Sequence, residues 1–116
     1  HLVLRRQRQM CIRDRTAGGL LIGHTNMTEL AYSGLGINPH YGTPLNPIYK
    51  GAIPGGSTSG GAVSISLDIS DITIGTDTGG STRIPAAFTG ITGFKPTQDV
   101  ISRKGVLVLS SSLDSV

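Results

Sequence analysis

An α/β fold is predicted by three features of the chain. Short apolar runs, most of them bounded by glycine, recur along it in the manner of buried strands. Short segments carrying helix-capping residues, or a proline in a first turn, lie among them. Glycine-rich loops that contain serine join the two kinds of segment. Alternation of this sort is the signature of the α/β class.

The elements follow in order. Leu20-Leu21-Ile22-Gly23 is the first expected strand. A short helix follows near Thr25 to Ala31, capped by Thr25 or Asn26, with Glu29 placed as in a capping box. Residues 33–50 hold Gly34, Gly36, Pro39, Gly42, Pro44 and Pro47 without helical periodicity, which predicts a long ordered loop of the functional kind. Residues 62–71 are ambiguous, but Val63, Ile65 and Leu67 alternate with Ser64, Ser66 and Asp68 at the strand period. Ile72-Thr73-Ile74 then runs into a second glycine-rich loop as a strand feeding a turn would. Arg83 to Phe88 reads as a helix with Pro85 in its first turn. Ile91 to Phe94 and Val106 to Leu109 are the last expected strands, and no internal repeat is evident.

Composition bounds the function. The 116 residues suffice for one small domain, but with 4% aromatic residues and no tryptophan its core would be thin. The chain opens at His1 and stops at Val116 without a closing element, so residues 16–116 are expected to be a fragment of a single domain. No apolar run approaches the roughly 20 residues of a membrane span, and no signal-peptide pattern is present. A cytoplasmic protein with no membrane partner is expected. The formal charge of +3 is misleading, because five arginines and Asp14 lie in residues 1–15 and the remainder carries −1.

The string HLVLRRQRQMCIRDR differs abruptly from the rest of the chain. A nucleic-acid arm would need interleaved aromatics or a second basic element, and neither occurs. Residues 1–15 resemble translated linker sequence and are set aside as a non-native leader. The single cysteine, Cys11, lies there, so neither a disulfide nor a cysteine metal site is expected. His24 and His40 are too isolated for a zinc site, and no cofactor is implied.

The chemistry concentrates in two loops. The first is Pro54-Gly55-Gly56-Ser57-Thr58-Ser59-Gly60-Gly61, and the second is Gly75-Thr76-Asp77-Thr78-Gly79-Gly80-Ser81-Thr82-Arg83-Ile84-Pro85-Ala86. Such glycine density lets backbone N–H groups turn toward a ligand. A phosphate-binding loop is excluded because no lysine follows Gly60-Gly61, and no Gly-x-Gly-x-x-Gly occurs. The Gly-x-Ser-x-Gly elbow fails at Ser57, Ser59 and Ser81. What remains is a serine nucleophile without an obvious histidine base. A serine can instead be activated by neutral lysine, sometimes relayed through a second hydroxyl, and Thr78-Gly79-Gly80-Ser81 could supply consecutive amides as oxyanion donors.

Residues 16–116 resemble the amidase signature family, serine hydrolases that cleave carboxamide bonds through a Ser–cis-Ser–Lys triad. Both loops match its glycine–serine motifs. Gly23 to Pro47, Gly90-Ile91-Thr92-Gly93-Phe94-Lys95-Pro96-Thr97 and Ser112-Leu113-Asp114-Ser115 match further landmarks. The resemblance implies a mixed central sheet flanked by helices on both faces, only part of it present here. It implies Ser81 as the acyl-enzyme nucleophile and Ser57 as the proton-relaying serine on a cis peptide bond. The amides of Thr78, Gly79, Gly80 and Ser81 would form the oxyanion hole, Asp77 and Arg83 would organise the loop, and Ser59 and Thr76 would support it.

One departure stands out. The family's lysine precedes the strand at Leu20, where this sequence has none, and Lys50, Lys95 and Lys104 follow other motifs. The chain as given is therefore expected to be inactive. The leading reading is an amidase acting on a small-molecule amide. The alternatives are the amidotransferase A-type subunit, which releases ammonia from glutamine, and a non-catalytic amide-binding remnant. The sequence leaves the oligomeric state open.

Overall fold

The computed structural model describes residues 15–116. Residues 1–14 of the expected leader, Cys11 included, lie outside the described residues. Two α-helices, α1 (Ser59–Ser66) and α2 (Arg83–Thr89), form the centre, preceded by a 3-10 turn at Glu29–Ala31. Their contact is made by small side chains, and among the described residues Ala62, Val63 and Ala86 are the buried hydrophobic ones. The helices are cross-tied where the Ser66 hydroxyl donates to the Thr89 carbonyl at 2.9 Å. Thr89 in turn donates to the Pro85 carbonyl at 2.7 Å. Gly90 ends α2 at φ +71°, where its N–H closes onto the Ala86 carbonyl.

Several sequence expectations are corrected. The stretch beginning at Ala62 is helical through Ser66, not a strand. A run of glycine, alanine and serine allows α1 to sit against α2, and Gly61 leaves room for the Thr73 side chain, whose hydroxyl lies 2.5 Å from where a Cβ would stand. The capped helix near Thr25 shrinks to the three-residue turn Glu29–Ala31, because Leu30 takes φ +53° and no side chain caps it. Asn26 uses its Oδ1 on the neighbouring Met27 N–H instead. Finally, Asn38-Pro39-His40-Tyr41 and Asn46-Pro47-Ile48-Tyr49 are a repeated device. Asn38 Oδ1 accepts from the amides of His40 and Tyr41. Asn46 Oδ1 accepts from those of Ile48 and Tyr49.

Both asparagines are buried and staple the long loop to its surroundings. Asn38 Nδ2 donates to the Met27 carbonyl, and Asn46 Nδ2 donates to the carbonyls of Ile53 and Phe88.

Among the described residues there is no strand, and the one bridge pairs Asp77 with Ser115 in antiparallel sense. The segments expected as strands are present but find no ladder partner. Leu20, Ile72, Phe94 and Leu107 are each more than two-thirds exposed, so their apolar faces are uncovered. A strand is defined by hydrogen bonds to a neighbour, which local pattern alone does not provide. Among the described residues no helix is long and apolar enough to cross a membrane.

Candidate active site

The two serine loops meet. The first is threaded through the chain by backbone hydrogen bonds: Gly56 N–H to Gly34 O, Thr28 N–H to Ser57 O and Gly60 N–H to Asn26 O, all at 2.8–2.9 Å. Thr58 N–H donates to the Ser81 carbonyl at 3.1 Å, which fastens the second loop onto the first. The Gly56–Ser57 peptide bond is cis. Ser57 and Ser59 are fully buried, with Ser59 opening α1, and their hydroxyls find no partner among the described residues. The Thr28 hydroxyl is buried and unpartnered too. Ser81 is half-buried, open enough to be reached.

Packing at Gly56 leaves no room for a side chain. A Cβ there would stand 2.6 Å from both Gly36 N and Thr28 Oγ1. Gly56→Ala is therefore expected to cost about 1–3 kcal/mol and to displace Ser57, because backbone blocks one side. Gly79 is the contrast, exposed and with nothing within 4 Å of its would-be Cβ. Gly79→Ala should alter stability by less than about 0.5 kcal/mol. Chemical denaturation of the two variants checks both statements.

The second loop is organised around Asp77, which is 1% exposed. Its Oδ1 accepts the Gly80 N–H at 2.8 Å and its Oδ2 accepts the Thr82 hydroxyl at 2.9 Å. Arg83 grips the same carboxylate with two prongs, Nε on Oδ2 at 3.0 Å and Nη2 on Oδ1 at 2.9 Å. Burial alone would push this carboxyl up. Hydrogen bonds from Arg83 and Thr82, with the guanidinium charge, outweigh it and hold the group far below the usual carboxylate range.

Because the Gly80 amide is spent on Asp77, it is not available to a ligand. The amides of Thr78, Gly79 and Ser81 donate to no acceptor among the described residues. Thr76 is half-buried beside them in sequence.

Asp114 is a residue that site reasoning from sequence passed over, although its segment stood out as a landmark. It is 3% exposed and accepts the Thr78 hydroxyl at 2.6 Å, with the Leu109 and Ser110 amides on its remaining lone pairs. Burial raises this carboxyl, but the hydrogen bonds from Thr78, Leu109 and Ser110 and the charge of Arg103 bring it below its ordinary value.

Other polar groups stand apart. His40 lies 3.3 Å from Glu29 on the surface. No cluster of three metal-ligating side chains exists among the described residues. The Lys95 ammonium donates to the Pro96 carbonyl at 2.9 Å, and Lys50 and Lys104 are exposed. A groove of about 380 Å³ runs between Asn26, Tyr41, Pro44, Gly60 and Ile69, and its lining includes neither Ser57 nor Ser81.

Two serine loops are thus locked together, with adjoining amides that donate to no acceptor among the described residues. The sequence profile of the Amidase family matches residues 12–116, and the chain belongs to that family. It is 47% identical over 100 residues to Amidase 1 of Oryza sativa subsp. japonica, covering 86% of this chain and 23% of that protein. It is also 47% identical over 102 residues to the A-type subunit of the glutamyl-tRNA(Gln) amidotransferase of Methanococcus vannielii, covering 88% of this chain and 24% of that one. A crystal structure of an amidase superposes with a TM-score of 0.84 at 43% identity, over 97% of this chain and 24% of the other. The chain thus spans about a quarter of the length of the relatives it matches.

Proposed function

We propose that this chain carries the nucleophile side of an amidase site that cleaves small-molecule carboxamides. Ser81 Oγ attacks the amide carbonyl, the C–N bond breaks, and ammonia or an amine leaves with a proton delivered through Ser57. Water then hydrolyses the ester at Ser81. The Thr78, Gly79 and Ser81 amides receive the oxyanion, a narrower donor set than the sequence implies, since Gly80 serves Asp77. Loss of one such donor costs about 3 kcal/mol of transition-state stabilisation. The observation that carries this reading is the joining of the Ser57 and Ser81 loops through Thr58 and Ser81, with acceptor-free amides beside the nucleophile.

Ser59 and Thr76 support the loops. The uncovered apolar segments belong to a mixed sheet with helices on both faces. The base is a lysine other than those present. Lys95 is engaged with Pro96, and Lys50 and Lys104 sit on the exposed surface. Hence the 116 residues alone are inactive, and turnover by the purified chain that vanishes in Ser81→Ala would overturn this. For the full-length gene product, incubation with a fluorophosphonate and peptide mapping tests the mechanism. A phosphonyl adduct on Ser81 is expected, whereas an unlabelled Ser81 would instead favour a non-catalytic amide-binding remnant.

The identity to the amidotransferase protein equals that to the plant amidase, which keeps a second reading in view: ammonia release from glutamine within a larger complex. Glutamine hydrolysis that appears only with partner subunits would favour it.

A further inference from the structure

We propose that Asp114 is a positioning residue for the reaction at Ser81, acting through the Thr78 hydroxyl to set the direction of the Gly79 amide. The proposal rests on the hydrolase reading above.

The Gly79 corner of the second loop has little packing to hold it. Gly79 is exposed and nothing lies within 4 Å of its would-be Cβ. Its geometry must come from hydrogen bonds at its two ends. Asp77 secures one end through the amides of Gly80 and Thr82. The other attachment is the C-terminal segment. Thr78 Oγ1 donates to Asp114 Oδ1 at 2.6 Å, within the range of charge-assisted O–H···O⁻ bonds. Next to it, Ser115 pairs with Asp77 in both directions, N–H to carbonyl at 3.0 and 2.8 Å.

Asp114 is itself immobilised. It is 3% exposed, and the amides of Leu109 and Ser110 occupy both of its oxygens. A fixed carboxylate thus grips the one side chain of the amide-donating loop that points to the C-terminal segment. Releasing Thr78 would let the Thr78–Gly79 peptide plane, which carries the Gly79 amide, rotate, whereas the plane after Gly79 stays held by the Gly80 N–H on Asp77 Oδ1.

Labelling kinetics test this on the full-length gene product with a fluorophosphonate. Asp114→Asn and Thr78→Val should each lower the maximal labelling rate of Ser81 roughly tenfold while leaving the half-saturating probe concentration unchanged. The double variant should be no slower than the slower single one, because Thr78→Val removes the very bond that Asp114→Asn deprives of its charge. Thr78→Ser should recover most of what Thr78→Val loses. Wild-type rates in both single variants, or a loss in Asp114→Asn without one in Thr78→Val, would overturn the proposal while leaving the nucleophile assignment standing.

Hydrogen exchange supplies a second measure independent of chemistry. Residues 75–82 should exchange faster in both variants, with residues 59–66 unchanged. If wild-type Ser81 never labels, the hydrolase reading fails and the positioning role fails with it. Unaltered exchange in 75–82 would remove the tether as well.

Discussion

Ser81→Ala in the full-length gene product is expected to reduce amide turnover on the order of 10⁴-fold or more, and Ser57→Ala by about 10²–10⁴-fold. Neither substitution should lower the unfolding free energy. The link of Ser81 to the first loop is its carbonyl, which accepts from Thr58 N–H and survives in alanine. Ser57 makes the sharper case. Its hydroxyl is fully buried and has no hydrogen-bond partner among the described residues, so removing it orphans nothing. A buried polar atom without a partner costs stability, which gives it a purpose other than holding the fold. Turnover and denaturant unfolding of the same preparations decide the matter. Activity lost with the midpoint intact assigns both hydroxyls to chemistry. A Ser57→Ala protein that unfolds early would instead make that hydroxyl structural.

What the sequence conveyed, and what it withheld, divides along physical lines. Both serine loops were legible because close backbone approach needs glycine at fixed places, and Gly56 and Gly75 leave room that the Thr28 and Thr58 side chains occupy. The helix at Arg83 was legible from Pro85 in its first turn. α1 was not, because serine alternating with Val63, Ile65 and Leu67 satisfies a period of two by composition. Only contact with α2 selects the helix. The apolar runs expected as strands form none among the described residues, since pairing depends on a neighbour that a local pattern does not contain. The duplicated Asn-Pro-x-Tyr turn was visible in principle, eight residues apart, and its meaning appears only when Asn38 and Asn46 are seen to be buried. Asp114 was the least accessible, since its partner Thr78 lies 36 positions away.

Asp77→Ala is the substitution expected to damage the fold most, by about 3 kcal/mol or more. The carboxylate is almost wholly enclosed, and it serves the Gly80 and Thr82 amides, the Thr82 hydroxyl and both prongs of Arg83. Its removal strips the buried Gly80 amide and the half-buried Thr82 groups of their acceptor, while the exposed Arg83 turns to water. Asp77→Asn preserves the shape but forfeits the charge and turns an N–H group toward Arg83, so it should recover only part of the loss.

Acid provides an independent reading of the same interaction. The folded carboxyl lies far below its ordinary value, so its contribution is fully present above the unfolded carboxylate pKa of about 3.9 and disappears as pH falls toward the folded value. Asp114, also lowered, adds to the same window. Wild-type stability should accordingly hold steady from about pH 7 to pH 4 with respect to these two groups and decline below. The Asp77→Asn protein, weaker throughout, should decline less steeply over that acid range. Equal slopes in the two proteins would mean that Asp77 is not the charge on which the second loop depends.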